Sequence, residues 1–241
     1  MKADPRLGGV QGARGRLDGA RLRPMPNARE QILGRIRAAL GRTRLSTADR
    51  QTLAQRVNSP PVTIQPRWKE PDKTRFTRKL SEAAATVGSI ADINELPVLV
   101  SRYLEKYRLE HRLLITDDPM VASLPWGDIR IHTGPNDGHY PVCLTLAYAG
   151  IAETGTIVVC SSPQSPTTHN FLPEHHIILL PAERLVKHIE DLWQKLRAEE
   201  KGLARTINLI TGPSRTADIE QTIQLGAHGP RFLHIVLLLR A

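Results

Sequence analysis

No stretch of the chain reaches the roughly 18 consecutive apolar positions that a membrane-crossing helix needs, and no apolar signal core follows Met1. These absences predict a cytoplasmic protein with no membrane span. Aromatic residues make up only 4% against 40% hydrophobic residues, so the core has to be mostly aliphatic. Cysteine is scarce too. Cys143 and Cys160 sit in the apolar runs PVCLTLAYA and GTIVVCSS, where buried, reduced thiols are expected. Two isolated cysteines cannot supply the four thiolates that an iron–sulfur cluster usually takes, so if the protein works in redox chemistry the cluster must belong to a partner. Also missing are G-x-G-x-x-G after a strand, G-x-x-x-x-G-K-[ST], G-x-S-x-G and H-E-x-x-H. Classical dinucleotide binding, P-loop hydrolysis, nucleophile-elbow hydrolysis and zincin chemistry therefore lose support.

The charge is uneven. Residues 1–50 hold 12 Lys+Arg and 4 Asp+Glu, and so carry eight of the nine net positive charges of the 241-residue chain. The remaining body is almost neutral. A nucleic-acid-binding domain would carry its positive charge on the folded surface with stacking aromatics nearby, so nucleic acid is excluded as a partner.

Residues 1–24 combine Gly and Arg with few large apolar side chains and are expected to stay disordered, with translation starting at Met25. Then AREQILGRIRAALG places Ile32, Leu33, Ile36 and Leu40 at helical spacing. After the linker NSPPVTIQPRWKEP, helices are predicted over 71–86, 94–107 and 182–200, the last with Leu185, Ile189, Leu192 and Leu196 on one face. Strands are predicted over HRLLIT, IAETGTIVVCSS, HHIILL, Ile207–Ile210 and Phe232–Leu239. Alternating helices and strands predict a mostly parallel sheet covered on both faces. Residues 207–239 read as one βαβ unit with parallel strands. In it Ser214 caps a crossover helix, Asp218 and Glu220 lie early in that helix, Ile219 and Ile223 share a face, and Gly226 ends it.

Three polar segments interrupt the apolar strands. In Ala152–Thr156, Glu153 beside a buried strand must be paired or lie in a cleft. Its alternative role is to cap a turn while Thr154 and Thr156 bond locally around Gly155. The second segment runs from Ser165 to His176. Adjacent residues on a strand point to opposite faces, so His175 and His176 cannot share a metal ion with His169, and no metal site is expected. Thr168 and Asn170 are the candidates for polar contacts. The third is the pair TGPSRTADIE and GAHGPR. Arg215 and Arg231 add positive charge at a helix entrance, but Asp218 and Glu220 oppose a phosphate, which favours a neutral or zwitterionic group or an interface contact. If all three segments share a cleft, Glu153, Ser214, Asp218 and His228 should converge at the carboxyl ends of neighbouring strands.

AETGT, PTTHNFLPEHHIILLP and TGPSRTADIEQTIQLGAHGPRFLHIVLL, in that order, resemble the LUD domain family and within it the lactate utilization protein C (LutC/YkgG) family, from about residue 27 onward. The resemblance implies a NagB/RpiA/CoA-transferase-like α/β fold preceded by an N-terminal helical segment. Its divisions would be a basic extension over 1–24, a helix and linker over 25–66 and a LUD domain over 67–241. It implies an accessory role beside iron–sulfur lactate utilization subunits A and B in oxidising L-lactate to pyruvate, with no cofactor in this chain. Homo-oligomer formation stays open. The motif positions are Glu153, Thr154, Gly155, Thr156, Thr168, Asn170, Pro173, Gly212, Pro213, Ser214, Thr216, Asp218, Glu220, His228, Gly229 and Arg231. The alternative is a free-standing enzyme of the same fold group, an acyl-CoA transferase or sugar-phosphate isomerase, with Glu153 as the catalytic carboxylate.

Overall fold

The computed structural model describes residues 27–41, 45–59, 64–136, 138–199, 203–216 and 224–240. The expected basic extension and Met25 lie outside these residues. The chain divides into two compact units, 1–63 and 64–241. In the first, α1 (Ala28–Ala39) starts where the Asn27 side chain accepts from Arg29 N, and α2 (Thr47–Asn58) starts where Ser46 accepts from Asp49 N. The helical spacing of Ile32, Ile36 and Leu40 does yield a helix, yet all three are exposed. α2 has no apolar periodicity to announce it; its Ser46 cap is the local signal.

The second unit opens with α3 (Asp72–Glu82), which buries Phe76 and Leu80. It ends four residues earlier than predicted, because Ala84 turns left-handed at φ 64° and Thr86 already belongs to β1 (Thr86–Ile90). Next come α4 (Leu96–Tyr107), β2 (Arg112–Ile115), the single turn α5 (Pro119–Ala122), β3 (Arg130–Thr133) and β4 (Val142–Leu146). β5 (Ala149–Ile151) and β6 (Thr156–Cys160) flank the AETGT turn. β7 (His175–Pro181), β8 (Leu185–Val186), α6 (Ile189–Ala198), β9 (Ile207–Ile210), β10 (Arg215–Thr216), β11 (Gln224–Leu225) and β12 (Phe232–Leu238) complete it.

Six strands form one sheet in the order β1-β12-β7-β4-β2-β3, and every pairing in it is parallel. β7 and β12 are interior strands covered on both faces, which is why residues 177–180 and 235–238 read as continuous apolar runs. Alternation sorts their side chains. Ile177, Leu179, Val236 and Leu238 join the core packed with α4, whereas Ile178, Leu180, Ile235 and Leu237 join Phe76 and Leu80 of α3 with Ile157 and Val159 of β6. A second, mixed sheet, β8-β5-β6-β9, thus forms part of the cover on that face. Its outer side packs Ala149, Ile151 and Val158 on Leu192 and Leu196 of α6.

Two predicted elements need correction. Residues 207–239 are not one βαβ unit: β9 pairs antiparallel with β6 in the mixed sheet, while β12 lies between β1 and β7 in the parallel one. Ser214 caps no helix at Arg215, because Arg215–Thr216 pairs antiparallel with Gln224–Leu225. Asp218, Ile219, Glu220 and Ile223 of the expected crossover helix lie outside the described residues, and Gly226 is left-handed (φ 84°) after β11. The helix predicted over 182–200 also starts late. Leu185 pairs with Gly150 in β8, and the helix begins only where the Asp191 carboxylate accepts from His188 N, leaving Leu192 and Leu196 as its buried residues.

Candidate functional site

At Gly212 the backbone turns left-handed (φ 85°) directly after β9, and an added Cβ would lie 2.4 Å from the Ala83 carbonyl oxygen, so glycine is required there. The Arg215 guanidinium donates to that same oxygen at 2.8 Å. The TGPSR turn is thereby docked on the end of α3. Ser214 N donates to Pro230 O at 2.8 Å, and Gly226 N donates to Ser214 O at 3.0 Å. These two backbone bonds bring TGPS and GAHGP together.

The result is a cleft of about 260 Å³ lined by Asn170, Gly212, Pro213, Ser214, His228 and Gly229 among others, with Leu209, Ile210 and Leu233 as apolar wall. Asn170 arrives on the 3-10 turn Thr167–Asn170, held through His169, whose Nε2 lies 2.6 Å from Gly134 O. His176, the second residue of β7, also lines the cleft. Its Nε2 lies 2.7 Å from Thr145 Oγ1, and burial pushes its pKa down to about 3, so the ring is neutral at physiological pH. Asn170 Oδ1 and His176 Nδ1 are both buried without a hydrogen-bond partner among the described residues. Buried polar groups normally find partners, so two unmet ones on residues that line one cleft make it the candidate site. No residue described as lining the cleft is acidic, and Arg215 adds the only guanidinium among them. The arrangement offers hydrogen bonds beside an apolar surface.

An adjoining hollow of about 610 Å³ shares Phe171, His228 and Gly229 and adds Pro173 and Arg231. AETGT stands apart. Thr156 Oγ1 lies 2.7 Å from Thr211 Oγ1, and Thr211 lines the cleft, so this threonine reaches it through one contact. Thr154 Oγ1 lies 2.6 Å from Thr156 Oγ1. Gly155 is left-handed (φ 69°) and sits where a Cβ would come within 2.8 Å of Leu80 N, which docks the turn on α3. Glu153 Oε2 lies 3.0 Å from His188 Nδ1, whose ring is 4.9 Å from Trp68, and Glu153 lines neither hollow. Thr168 is exposed, Thr216 lies in β10, and Asp218 and Glu220 are outside the described residues. Ser214 and His228 therefore meet, beside the amino ends of β7 and β12, and Glu153 does not join them.

His175 and His176 face opposite ways, as strand alternation requires: His175 Nδ1 lies 3.0 Å from the Tyr103 hydroxyl, on the other side of the sheet from Thr145. Among the described residues no group of three or more His, Cys, Asp and Glu is placed to hold a metal ion. Burial raises both cysteine thiols, Cys160 to about 11. Sequence reasoning missed the apolar wall and Thr211. The placement of Thr211 before Gly212-Pro213 at a strand end was the available signal.

A parallel sheet covered by helices on one face and by a helix and a mixed sheet on the other, with polar loops at the strand ends, defines an α/β protein. The family model of the LUD domain matches residues 76–238, and the chain belongs to that family. It is similar to an uncharacterized protein of Neisseria meningitidis serogroup B, 39% identical over 93 residues, which is 39% of this chain and 40% of that protein. Lactate utilization protein C of Halalkalibacterium halodurans is 25% identical over 236 residues, spanning 88% of this chain and 99% of that one. Lactate utilization protein C of an Exiguobacterium species is 37% identical over 98 residues, 39% of this chain and 43% of the other. A crystal structure of a DUF162 family protein from Deinococcus radiodurans superposes with a TM-score of 0.55 at 18% identity, covering 72% of this chain and 99% of that one. That last likeness is one of fold.

Proposed function

We propose that this protein is an accessory subunit, without a redox centre of its own, of a cytoplasmic system that oxidises L-lactate to pyruvate. It works beside an iron–sulfur oxidoreductase subunit and a ferredoxin-like subunit, lactate utilization subunits A and B. The observation that carries the reading is the likeness to lactate utilization protein C over 88% of the chain. The scarcity of cysteine supports the division of labour, since the electrons need a cluster that two thiols do not build. Within this reading residues 25–66 are a helical leader and linker, and 67–241 are the LUD domain. Deleting the gene is expected to abolish growth on L-lactate and to leave growth on pyruvate intact, and a pull-down from lactate-grown cells should bring down both iron–sulfur subunits. Normal growth of the deletion strain on lactate, with no paralogue present, would falsify the reading.

Ser214→Ala tests whether the motif cleft serves that role. The Ser214 hydroxyl caps no helix at Arg215, so its loss is expected to change stability by no more than about 0.5 kcal/mol. Growth on lactate should nevertheless fall. A full-rate phenotype with an unchanged melting temperature would take Ser214 out of the site.

A further inference from the structure

The strand order opens a second cleft, far in character from the motif residues. From β2 the chain runs outward to β3, and from β4 it runs the opposite way toward β7. Where connections from neighbouring parallel strands diverge, a crevice is left at their carboxyl ends, and open α/β sheets bind ligands there. This molecule has a cleft of about 870 Å³ at that point. Its walls are Thr116 and Asp117 directly after β2, Tyr148 just after β4, Ser162 and Ser165 after β6, and Arg184 after β7. None of the motif positions lines it.

Its polar groups are arranged but not used up. Arg184 is half-buried, and its Nη1 donates to the Ala147 carbonyl at 2.9 Å, which fixes the guanidinium at the end of β4. No carboxylate among the described residues forms an ion pair with it. A guanidinium has five N–H donors, so most of them remain to be met. Thr116 and Ser165 are buried, and their hydroxyls lie 3.4 Å apart, long for an O–H···O bond, so both keep capacity for a third group. Asp118 also lines the crevice; it accepts from Met120 N at 2.9 Å through Oδ1, which holds the carboxylate in place and leaves it, like Asp117, able to accept from a ligand's hydroxyl. Asp117 is exposed, and its carboxylate has no partner among the described residues.

We propose that this crevice binds a small hydroxylated organic anion. The oxyanion, carboxylate or phosphate, sits on Arg184 in the planar two-point geometry that a guanidinium favours. The ligand's hydroxyls donate to Asp117 and exchange hydrogen bonds with Thr116 and Ser165. Asp117 sets the specificity: a bare anion is repelled by it, whereas a ligand that also presents a hydroxyl is held.

Ligand-observed NMR titrations of the full chain with D-glycerate, sn-glycerol 3-phosphate, inorganic phosphate and uncharged glycerol test this. Glycerate or glycerol 3-phosphate should bind saturably, and whichever binds tighter identifies the oxyanion; phosphate should bind more weakly and glycerol not at all. Arg184→Gln should weaken the organic anion ten- to a hundredfold, with Arg184→Lys intermediate because lysine keeps the charge and loses the fork. Asp117→Ala should close the gap between the hydroxylated ligand and inorganic phosphate. Circular dichroism melts establish that each variant is folded. Absence of saturable binding by either hydroxylated anion overturns the proposal, as does a folded Arg184→Gln that binds like the parent.

Discussion

Gly212→Ala is expected to lower the unfolding free energy by about 2 to 5 kcal/mol. Two independent costs add. An alanine held at φ 85° sits in left-handed backbone, at about 1 to 2 kcal/mol. Its Cβ would also stand 2.4 Å from the Ala83 carbonyl oxygen and 3.0 Å from the Ala83 Cβ. Neither is the far end of a flexible side chain, so the turn must lift away from α3, with the 1 to 3 kcal/mol or so typical of overpacking. The Ala83 oxygen already accepts from Arg215, so lifting the turn breaks that bond as well. A small domain holds only about 5 to 15 kcal/mol in total, so the loss is a large share of its stability. Urea midpoints of parent and variant measure it directly. Equal midpoints would mean that the turn is not docked on α3. Because Gly212 lines the motif cleft, any surviving folded fraction should also have lost its site.

The elements of this fold were legible where burial is two-sided. Residues 177–180 of β7 and 235–238 of β12 are unbroken apolar runs because both faces of the sheet are covered there, and α4 shows its face through Leu96, Val100, Tyr103 and Leu104. Assembly was less legible. β9 and β12 are neighbours in sequence and were joined into one unit on the general preference for adjacent pairing. Burial separates them: β9 is partly exposed along its length, with Leu209 at 44%, as suits a strand at the edge of a mixed sheet. The Gly-Pro turn looked like a helix entrance because its partner, Ala83, lies more than a hundred residues away and leaves no local mark. For the site, the expected meeting of Glu153, Ser214, Asp218 and His228 at carboxyl strand ends is replaced by a cleft beside the amino ends of β7 and β12, where Ser214 and His228 lie with Asn170 and Gly229. The fate of Glu153 was open, since a glutamate beside a buried strand must be paired or sit in a cleft, and only the fold supplies His188 as its partner. The carboxyl-end crevice was invisible, because its residues come from four loops that mean nothing separately.

Acidification should destabilise the protein well before its carboxylates titrate. His176 is fully buried and held down to about 3 by burial, and burial likewise brings His234 down to about 4. His169 and His175 are lowered in the same way. In the unfolded chain each imidazole returns to 6.5. As pH falls below 6.5 the unfolded state takes up protons that the folded state refuses, so the equilibrium shifts toward unfolding. The contribution is therefore complete above pH 6.5 and is lost between there and the folded values. Each refused proton adds its full linkage slope only between the unfolded and folded values, so His176 and His234 together give at most roughly 3 kcal/mol per unit, reached near pH 5. The carboxylates act in another window. Arg78 beside Glu70, and Lys79 with Arg78 beside Glu82, hold these groups below 4.5, so what they contribute is lost only beneath that value. Urea midpoints taken from pH 7.5 to 5 separate the two effects. His176→Gln should shed about 1.4 kcal/mol per unit from the slope, whatever it does to stability at pH 7.5. A parent protein whose stability stays flat from pH 6.5 to 5 would show that these histidines accept protons in the folded state, and that the wall of the motif cleft is wetter than its geometry implies.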